Sequence, residues 1–557
     1  MAIGWTRGLT SLLATPFSGL LWLVHRRAVP AGSWIELESV AEGDLAAMSG
    51  WMLRLRRLGT DPQIAGVLLQ LRQTPGSWAS CEDLREVIAA LRARGKRVVV
   101  QVHSPSNAAC WIAAAADEAW ITPMDEVQLV GLGAELTFFG DALNKLGVSA
   151  DFVAAGAYKS FGEPFQRTFA SAESREALEA ILAELQQTLV TGIAEGRGLT
   201  EAAVRGLMAR APLLASEAVD AGLFTGMAYE WQLRERIEER EDVPRLVGAR
   251  GWAMRDALFE QIDGLRQPDA VAVLHLDGPI VLDDDTGTSM IRAQQVVPVI
   301  HALKADDEVR SVVLHIRSPG GSAYASELLW KAVEELAEAK PVVASFSDVS
   351  ASGGFYLAAP ATEIVARATT VTGSIGVFGG KVVLGPALRR LGVLSQGFAQ
   401  SPHALMASSS KAFTASERDR VRRSMQYIYD GFVERVAKGR ARSTDEIEPF
   451  CRGRVWTGHA AQARGLVDHL GSLDLALERA RRLARVRSST TRRVDLVVRP
   501  PPAIAAILRD WLRRRWSVEQ RELLSSVIGE RVLPWMRVLL RSPGEAMAML
   551  PFDLRIR

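Results

Sequence analysis

Lysine is scarce in this chain of 557 residues: of 66 basic residues only nine are lysines, at positions 96, 145, 159, 304, 331, 340, 381, 411 and 438. Arginine fills nearly every position that needs only a surface cation. A lysine that remains is a candidate for a role that guanidinium cannot take, because only lysine is readily neutralised by burial. Cysteine is scarcer still, and Cys81, Cys110 and Cys451 are odd in number and widely spaced. That excludes a disulfide framework and gives no metal-ligand spacing. Net charge is nearly absent as well, with 66 basic against 64 acidic residues. No global field gathers nucleic acid, and any charged partner site must be local. The N-terminal apolar run Leu9 to Val24 has 16 residues, is interrupted by Pro16 and is flanked by Arg7, His25, Arg26 and Arg27. At about 1.5 Å per residue it falls short of a ~30 Å hydrocarbon core. The heavier positive flank follows the run, which argues against a simple anchor that exports the rest of the chain. A signal anchor, a cleaved signal, an interfacial helix and a packed terminal helix all stay open.

What is present is ordinary globular composition, 48% apolar and 23% charged, in a chain long enough for three or four domains. Internal similarity organises it. Gly66 to Gly76 (GVLLQLRQTPG) returns as Ser311 to Gly320 (SVVLHIRSPG), and Val98 to Ile121 aligns without a gap on Val342 to Val365. Ser216 to Leu223 (SEAVDAGL) matches His459 to Leu466 (HAAQARGL) at nearly the same shift. Matches at one near-constant offset indicate a duplication. The expected organisation is an N-terminal segment over 1–30, a first repeat over 31–240, a linker over 241–270, a second repeat over 271–485 and an extension over 486–557. Short β-branched runs alternate with helical patterns, including a strand at 312–317, a helix from Ser326 to Ala339 and a strand at 341–346. Such alternation predicts parallel crossover units and an α/β core. Long helices are expected over Ser171 to Glu195 and Thr414 to Gly439, each opening on a capping hydroxyl.

Two Gly-rich turns carry candidate chemistry. Ser318-Pro319-Gly320-Gly321 follows a strand, in the region where open α/β sheets hold ligands, although a plain tight turn would read the same. Ser350-Ala351-Ser352-Gly353-Gly354 sits at a strand-to-helix junction, where a serine hydroxyl is presented at a helix N-terminus and glycines admit a substrate backbone. An N-cap serine would look alike. A catalytic serine needs a base, and none of the eight histidines stands in a triad signature. His275 and His315 lie inside apolar strand runs and read as core. A lysine base must be neutral near pH 7, which requires burial, and Lys159 in Gly156-Ala157-Tyr158-Lys159-Ser160 is such a candidate.

Together with Glu163-Pro164-Phe165, Thr372-Gly-Ser-Ile-Gly-Val377 and Arg454-Val-Trp-Thr-Gly458, these motifs resemble the signal peptide peptidase A family, in its long, duplicated bacterial type. The resemblance spans about residues 31–485. It implies two tandem crotonase/Clp-like α/β superhelix repeats, and a Ser/Lys-dyad serine peptidase with Ser352 as nucleophile and Lys159 as base. It further implies an oxyanion held by Gly321 and Gly353, with Ser374 and Ser160 as candidates for orienting the lysine. No cofactor is implied, and no metal or nucleic acid. Expected partners are apolar peptides such as cleaved signal peptides, a membrane and further copies of the chain in a ring-like homo-oligomer, a tetramer by the resemblance. The implied location is the bacterial inner membrane, with the catalytic part on the periplasmic side. The duplication bears on the dyad independently. Ala108 stands in the first copy where Ser352 stands in the second, and the counterpart of Gly156 to Lys159, near Gln400 to His403, has no lysine. Each copy keeps one half of a site.

An acyl-CoA hydratase or hydrolase would use a similar Gly-Gly turn without needing the lysine, and a membrane scaffold would need neither half-site. From Pro500 to Arg557 the chain carries ten arginines against six acids, with Trp511, Trp516 and Trp535 among leucines. Such segments suit an anionic bilayer surface or a helical extension packed on the protein. In either case the tail is expected to stand apart from catalysis, because every dyad and oxyanion candidate lies between Lys159 and Gly353.

Overall fold

The structure, a computed structural model, describes residues 29–41, 43–240, 246–248, 252, 270–283, 290–486, 490–494 and 547–549. Nearly all of the expected N-terminal segment, most of the linker and most of the C-terminal extension lie outside the described residues. The chain is mixed α/β with two large, mainly parallel sheets.

In the first sheet the strand order is Gly226–Met227, Glu118–Ile121, Arg97–Val102, Ile64–Leu71, Ser33–Glu38, Leu246–Gly248, all parallel. The second sheet runs His469–Leu470, Glu363–Ala366, Val342–Ala351, Val309–Ser318, Ala270–Asp277, Thr490–Val494 along its parallel path. The two orders are the same, strand for strand. Parallel strands covered on both faces read as continuous apolar runs with alternate residues on opposite faces. In the second sheet Ala272, Leu274, Val312, Leu314, Val342 and Ala344 enter the main core. Val271, Val273, Val313 and Val343 meet Leu473, Ala476, Leu477 and Ala480 of the Leu473–Leu483 helix on the other side. The helical residues recur every three or four positions, so one stripe faces the sheet. Each fully buried Val or Leu contributes about 1.5–3 kcal/mol of transfer free energy.

The strand expected at 341–346 runs on to Ala351. Its first half pairs with Val309–Ser318, while Val349 to Ala351 pair with the Val371–Gly373 strand, so the sheet itself carries the chain to the Ser352 junction. The expected long helices occupy Ala172–Arg197 and Ala415–Gly439. Ser171 accepts from the Ser174 N–H, and Thr414 and Glu417 form a capping box. The turn expected at 318–321 is in part a strand: Gly320–Ser322 pairs with Ile280–Val281 on one side and Met547–Met549 on the other.

The repeats interlock. The Ser149–Ala155 strand of the first repeat pairs antiparallel with Val377–Val383 of the second over seven registered residues, from Ala155 opposite Val377 to Ser149 opposite Val383. Around the Trp78–Ala93 helix of the first repeat, polar contacts hold the second repeat in place. Its N-cap Ser77 and also Ser80, at 2.8 Å, donate to Asp348 on the Val342–Ala351 strand. Arg367 is only 3% exposed and donates to Asp83, 2.5 Å from Nε, and to Glu86, while Glu82 accepts from the Ala368 and Thr369 N–H groups. Removing one partner of a buried ion pair leaves the other charge unsatisfied. Arg367→Leu is therefore expected to lower unfolding stability by roughly 3 kcal/mol in urea titrations. A change within 0.5 kcal/mol, the usual range for neutral surface substitutions, would show that this clamp holds nothing.

Candidate active site

Ser352 ends the Val342–Ala351 strand and precedes the short Gly353–Ala358 helix. Its backbone lies at φ 55°, ψ −115°, a conformation that an L side chain rarely adopts because its Cβ crowds the chain. Strain of this kind persists only where surrounding bonds over-determine it. Here the Ser352 N–H donates to the Gly373 carbonyl at 2.8 Å, and its own carbonyl accepts from the Tyr356 N–H at 2.8 Å. The turn projects the hydroxyl away from both strand and helix, into the junction between the repeats.

Lys159 arrives from the other repeat, four residues beyond the end of the interlocking Ser149–Ala155 strand. Its Nζ stands 2.8 Å from Ser352 Oγ, 2.9 Å from Ser374 Oγ and 3.0 Å from the Ser374 carbonyl oxygen. The side chain is buried, and burial alone, with no carboxylate beside it, holds the amine well below the usual lysine range. A neutral amine has two N–H groups and one lone pair. The two Ser374 oxygens accept the N–H groups, which leaves the lone pair for the Ser352 hydroxyl proton. In that protonation state the amine could act as a base toward the hydroxyl, one from a buried and the other from a strained position.

The lysine loop is held by very close backbone approach. Gly156 lies at φ 104°, and a Cβ there would come within 2.6 Å of the Arg452 carbonyl carbon. Gly453, at φ 78°, faces Lys159 so tightly that a Cβ would meet the Lys159 nitrogen at 2.6 Å. The 452–454 segment bonds to both sides: the Tyr158 N–H donates to the Arg452 carbonyl at 2.8 Å in the lysine loop, while the Gly453 N–H donates to the Ile375 carbonyl at 2.6 Å and the Ser374 N–H to the Arg454 carbonyl at 2.7 Å. The 452–454 segment is thus a wedge that fixes Lys159 and Ser374 together. Sequence reasoning named Arg454 and passed over Gly453. The signal was there only as one glycine before the Arg-Val-Trp-Thr-Gly stretch.

The remaining candidates fall as follows. Gly321 and Gly353 come from segments in contact: a Cβ on Gly353 would lie 2.5 Å from Ser326 Oγ and 3.2 Å from Gly320 Cα, so the packing there leaves little room for a side chain. The Gly353 N–H opens a helix and has no partner within that helix. Ser160 is buried, but its Oγ is not bonded to the lysine amine and has no hydrogen-bond partner. Ser350 turns its hydroxyl to the Ile316 carbonyl at 2.8 Å, a bond inside the sheet. His315 is buried and pushed down to about 3 by burial, and His275 bonds Ser49 at 2.8 Å. The thiols of Cys110 and Cys451 are each pushed up to about 12 by burial, so they are inert as nucleophiles. Among the described residues there is no cluster of metal-ligating side chains, and no helix is long and apolar enough to cross a membrane.

One placement departs from expectation. Met547–Met549, from the tail, pairs directly with Gly320–Ser322, so part of the tail lies at the candidate oxyanion segment.

Two consequences follow from this geometry. Gly453→Ala is expected to cut turnover of any reaction at Ser352 by about a hundredfold while the chain still folds, since a misplacement near 1 Å carries that cost; turnover equal to the parent's would mean that the wedge does not position the lysine. The second concerns pH. Between the lowered folded value and 10.5 the unfolded chain binds one more proton than the folded chain, so stability rises with pH in that window. Lys159→Met is therefore expected to be most stabilised relative to the parent at low pH, with the gap closing toward 10.5. Urea midpoints of both chains, taken from roughly pH 6 to pH 10, check the sign. A gap independent of pH would mean that the folded amine is charged.

Comparison with known proteins points to one family of peptidases. The model of peptidase family S49 matches twice, over residues 90–244 and 334–487. The two starts differ by 334 − 90 = 244 positions, the shift seen between the internal repeats. A chloroplastic "Serine protease SPPA" of Arabidopsis thaliana is 29% identical over 463 residues, 80% of this chain and 67% of that protein. "Protease 4" of Salmonella typhi is 31% identical over 448 residues, covering 78% and 71%. A "Putative signal peptide peptidase SppA" of Enterococcus faecium is 29% identical over 213 residues, 37% of this chain and 62% of that one.

Proposed function

The chain belongs to peptidase family S49, and on that premise we propose that it is a serine endopeptidase that works through a Ser352/Lys159 dyad on apolar peptides, cleaved signal peptides among them. The observation that carries the reading is a buried amine, held by burial well below the usual lysine range, 2.8 Å from a hydroxyl on a strained turn. Lys159 Nζ takes the Ser352 proton as Oγ attacks the scissile carbonyl. The tetrahedral oxyanion lies against the Gly353 and Gly321 N–H groups, where loss of one donor costs about 3–4 kcal/mol in the barrier. The lysine, now protonated, gives its proton to the leaving amine, and the acyl-enzyme forms. Water deprotonated by the same amine then releases the acyl group. Ser374 keeps the amine aimed throughout, since both of its oxygens accept N–H bonds whichever protonation state is present.

In this reading the two sheets are tandem crotonase/Clp-like repeats, near 31–240 and 271–485. The same strand order in both supports it. The acyl-CoA alternative gives no use for a buried lysine on the serine, and a scaffold gives no use for the strained turn. Residues 9–24 and the Arg/Trp-rich tail support action beside a membrane, on the periplasmic face of a bacterial inner membrane, by a homo-oligomer. That part rests on composition and family likeness.

Substitution tests the dyad. Ser352→Ala is expected to abolish hydrolysis of an apolar fluorogenic peptide, while Ser350→Ala keeps most of it, because Ser350 makes only a bond within the sheet. Equal loss in both would mean that the nucleophile is misassigned. Lys159→Arg is expected to be as inactive as Lys159→Ala, since guanidinium does not deprotonate in a protein. An active arginine variant would end the general-base role.

A further inference from the structure

The Arg454 side chain bonds neither Lys159 nor Ser352, yet what it touches adjoins both. Its Nη1 donates to Glu176 Oε1 at 2.7 Å and to the Tyr158 hydroxyl at 3.2 Å, and that hydroxyl donates to Glu176 Oε2 at 2.9 Å. The three groups close a ring of bonds beside the base, since Tyr158 precedes Lys159 in the chain. The guanidinium also meets two aromatic rings, its Cζ 4.9 Å from the Tyr158 centroid and 4.4 Å from the Trp456 centroid. A second cation, the Arg464 guanidinium, stands 3.8 Å from the same Trp456 centroid. Such contacts attract through the ring quadrupole, and more strongly where water is kept away. Trp456 is buried.

From Trp456 the contacts run on to the nucleophile. Trp456 stands opposite Thr372 and Val455 opposite Gly373 in an antiparallel pair, and a Cβ on Gly373 would come within 2.8 Å of Trp456 Cδ1. It is the Gly373 carbonyl that accepts the Ser352 N–H, while the carbonyl of Arg454 itself accepts the Ser374 N–H. On the other side, the lysine loop is moored twice to the start of the Ala172–Arg197 helix: Tyr158 bonds Glu176, and Glu163 accepts the N–H of the N-cap Ser171 at 3.0 Å. Arg454 is the side chain that joins this mooring to the second repeat. Its ion pair adds little to folding, because Glu176 is 55% exposed and open pairs are screened by water. The Arg454 Nε is buried with no hydrogen-bond partner. An unmatched buried donor persists where something else fixes the group's position, here two rings and a carboxylate.

We propose that Arg454 is a positioning residue for the dyad: its side chain ties the loop that carries Lys159 to the strands that hold Ser352 and Ser374, and so aims the amine at the hydroxyl. The statement rests on the dyad reading above. Gly453 sets how closely the two segments approach, through backbone contact, and Arg454 sets how they are turned, through its side chain. Guanidinium suits the task because its plane lies on ring faces while its edge forks to a carboxylate and a hydroxyl. Losing it leaves the Gly453 contact and the burial of Lys159 in place, so the amine keeps its lowered range and loses only its aim.

The test compares the parent with Arg454→Met, which keeps an apolar stem and loses the cation, with Glu176→Gln, and with the chain carrying both changes. The readouts are KM and kcat for an apolar fluorogenic peptide, with kcat taken per active site counted by fluorophosphonate labelling, and the pH profile of kcat/KM. Arg454→Met is expected to lower kcat per site about tenfold, short of the roughly hundredfold cost of a 1 Å misplacement, with KM within about twofold of the parent's. The acidic limb of the profile, which reports the lysine, should stay where the parent has it. Glu176→Gln should lower kcat per site about threefold, and the double change should be no slower than Arg454→Met, because residues of one network do not add. A kcat per site in Arg454→Met within about twofold of the parent's would overturn the proposal. So would a fall only in the number of labelled sites, the mark of a merely structural role, or a rise only in KM, the mark of a substrate contact. A limb moved up toward 10.5 would mean that the change admits water to the lysine and that Arg454 serves burial, not aim. A double change about thirtyfold down would mean that the two residues act separately, which also defeats it. If Arg454→Met does not fold, the exposed Glu176→Gln decides by the same criteria. If the parent neither labels nor cleaves, the dyad reading itself has failed; if the parent works and Arg454→Met matches it, only the positioning role has.

Discussion

The pairing of Ser149–Ala155 with Val377–Val383 is the interaction on which the site depends. It makes a strand of the first repeat a member of a sheet in the second, and so converts two half-sites into one. Seven residues in register leave little freedom at the strand's end, and a slip of one residue would turn every side chain to the opposite face. The lysine follows that strand by four residues, within a loop pinned by glycine contacts at Gly156 and Gly453. Precision at Nζ is thus inherited from a backbone ladder, a stiffer support than side-chain packing alone.

The same arrangement explains why the amine is held well below the usual lysine range with no carboxylate beside it. Burial removes water from the lysine, and the repeats close around it from both sides. Protonation would then place an unpaired charge in an apolar junction, which is the costliest form of burial. Two Ser374 oxygens soften that cost without reversing it, since they serve both protonation states. The fold therefore gives up stability to bury this amine, and the ion pairs of Arg367 and the carboxylate of Asp348 at the Trp78–Ala93 helix help to offset it. Such polar contacts lie at the edge of the junction, away from Lys159, where they clamp the repeats without supplying a counter-charge.

Much of this was legible in the sequence. β-branched runs alternating with helical patterns require crossover parallel sheets, and three matches at one offset require two copies of that unit. The scarcity of lysine drew attention to the nine that remain and the resemblance to a known family assigned Lys159 among them, while the alanine at position 108 marked Ser352 as the serine without a repeat partner, because these are properties of composition and alignment. Tertiary structure alone decided the rest. That Ser374 holds the amine while Ser160 does not depends on which way each backbone turns, and both serines look alike in sequence. That Gly453 is a wedge depends on contact with a loop 294 positions away (453 − 159), to which no local pattern refers. That Met547–Met549 reaches Gly320–Ser322 depends on backbone hydrogen bonds, which any residue except proline supplies and which therefore leave almost no mark on the residues that make them.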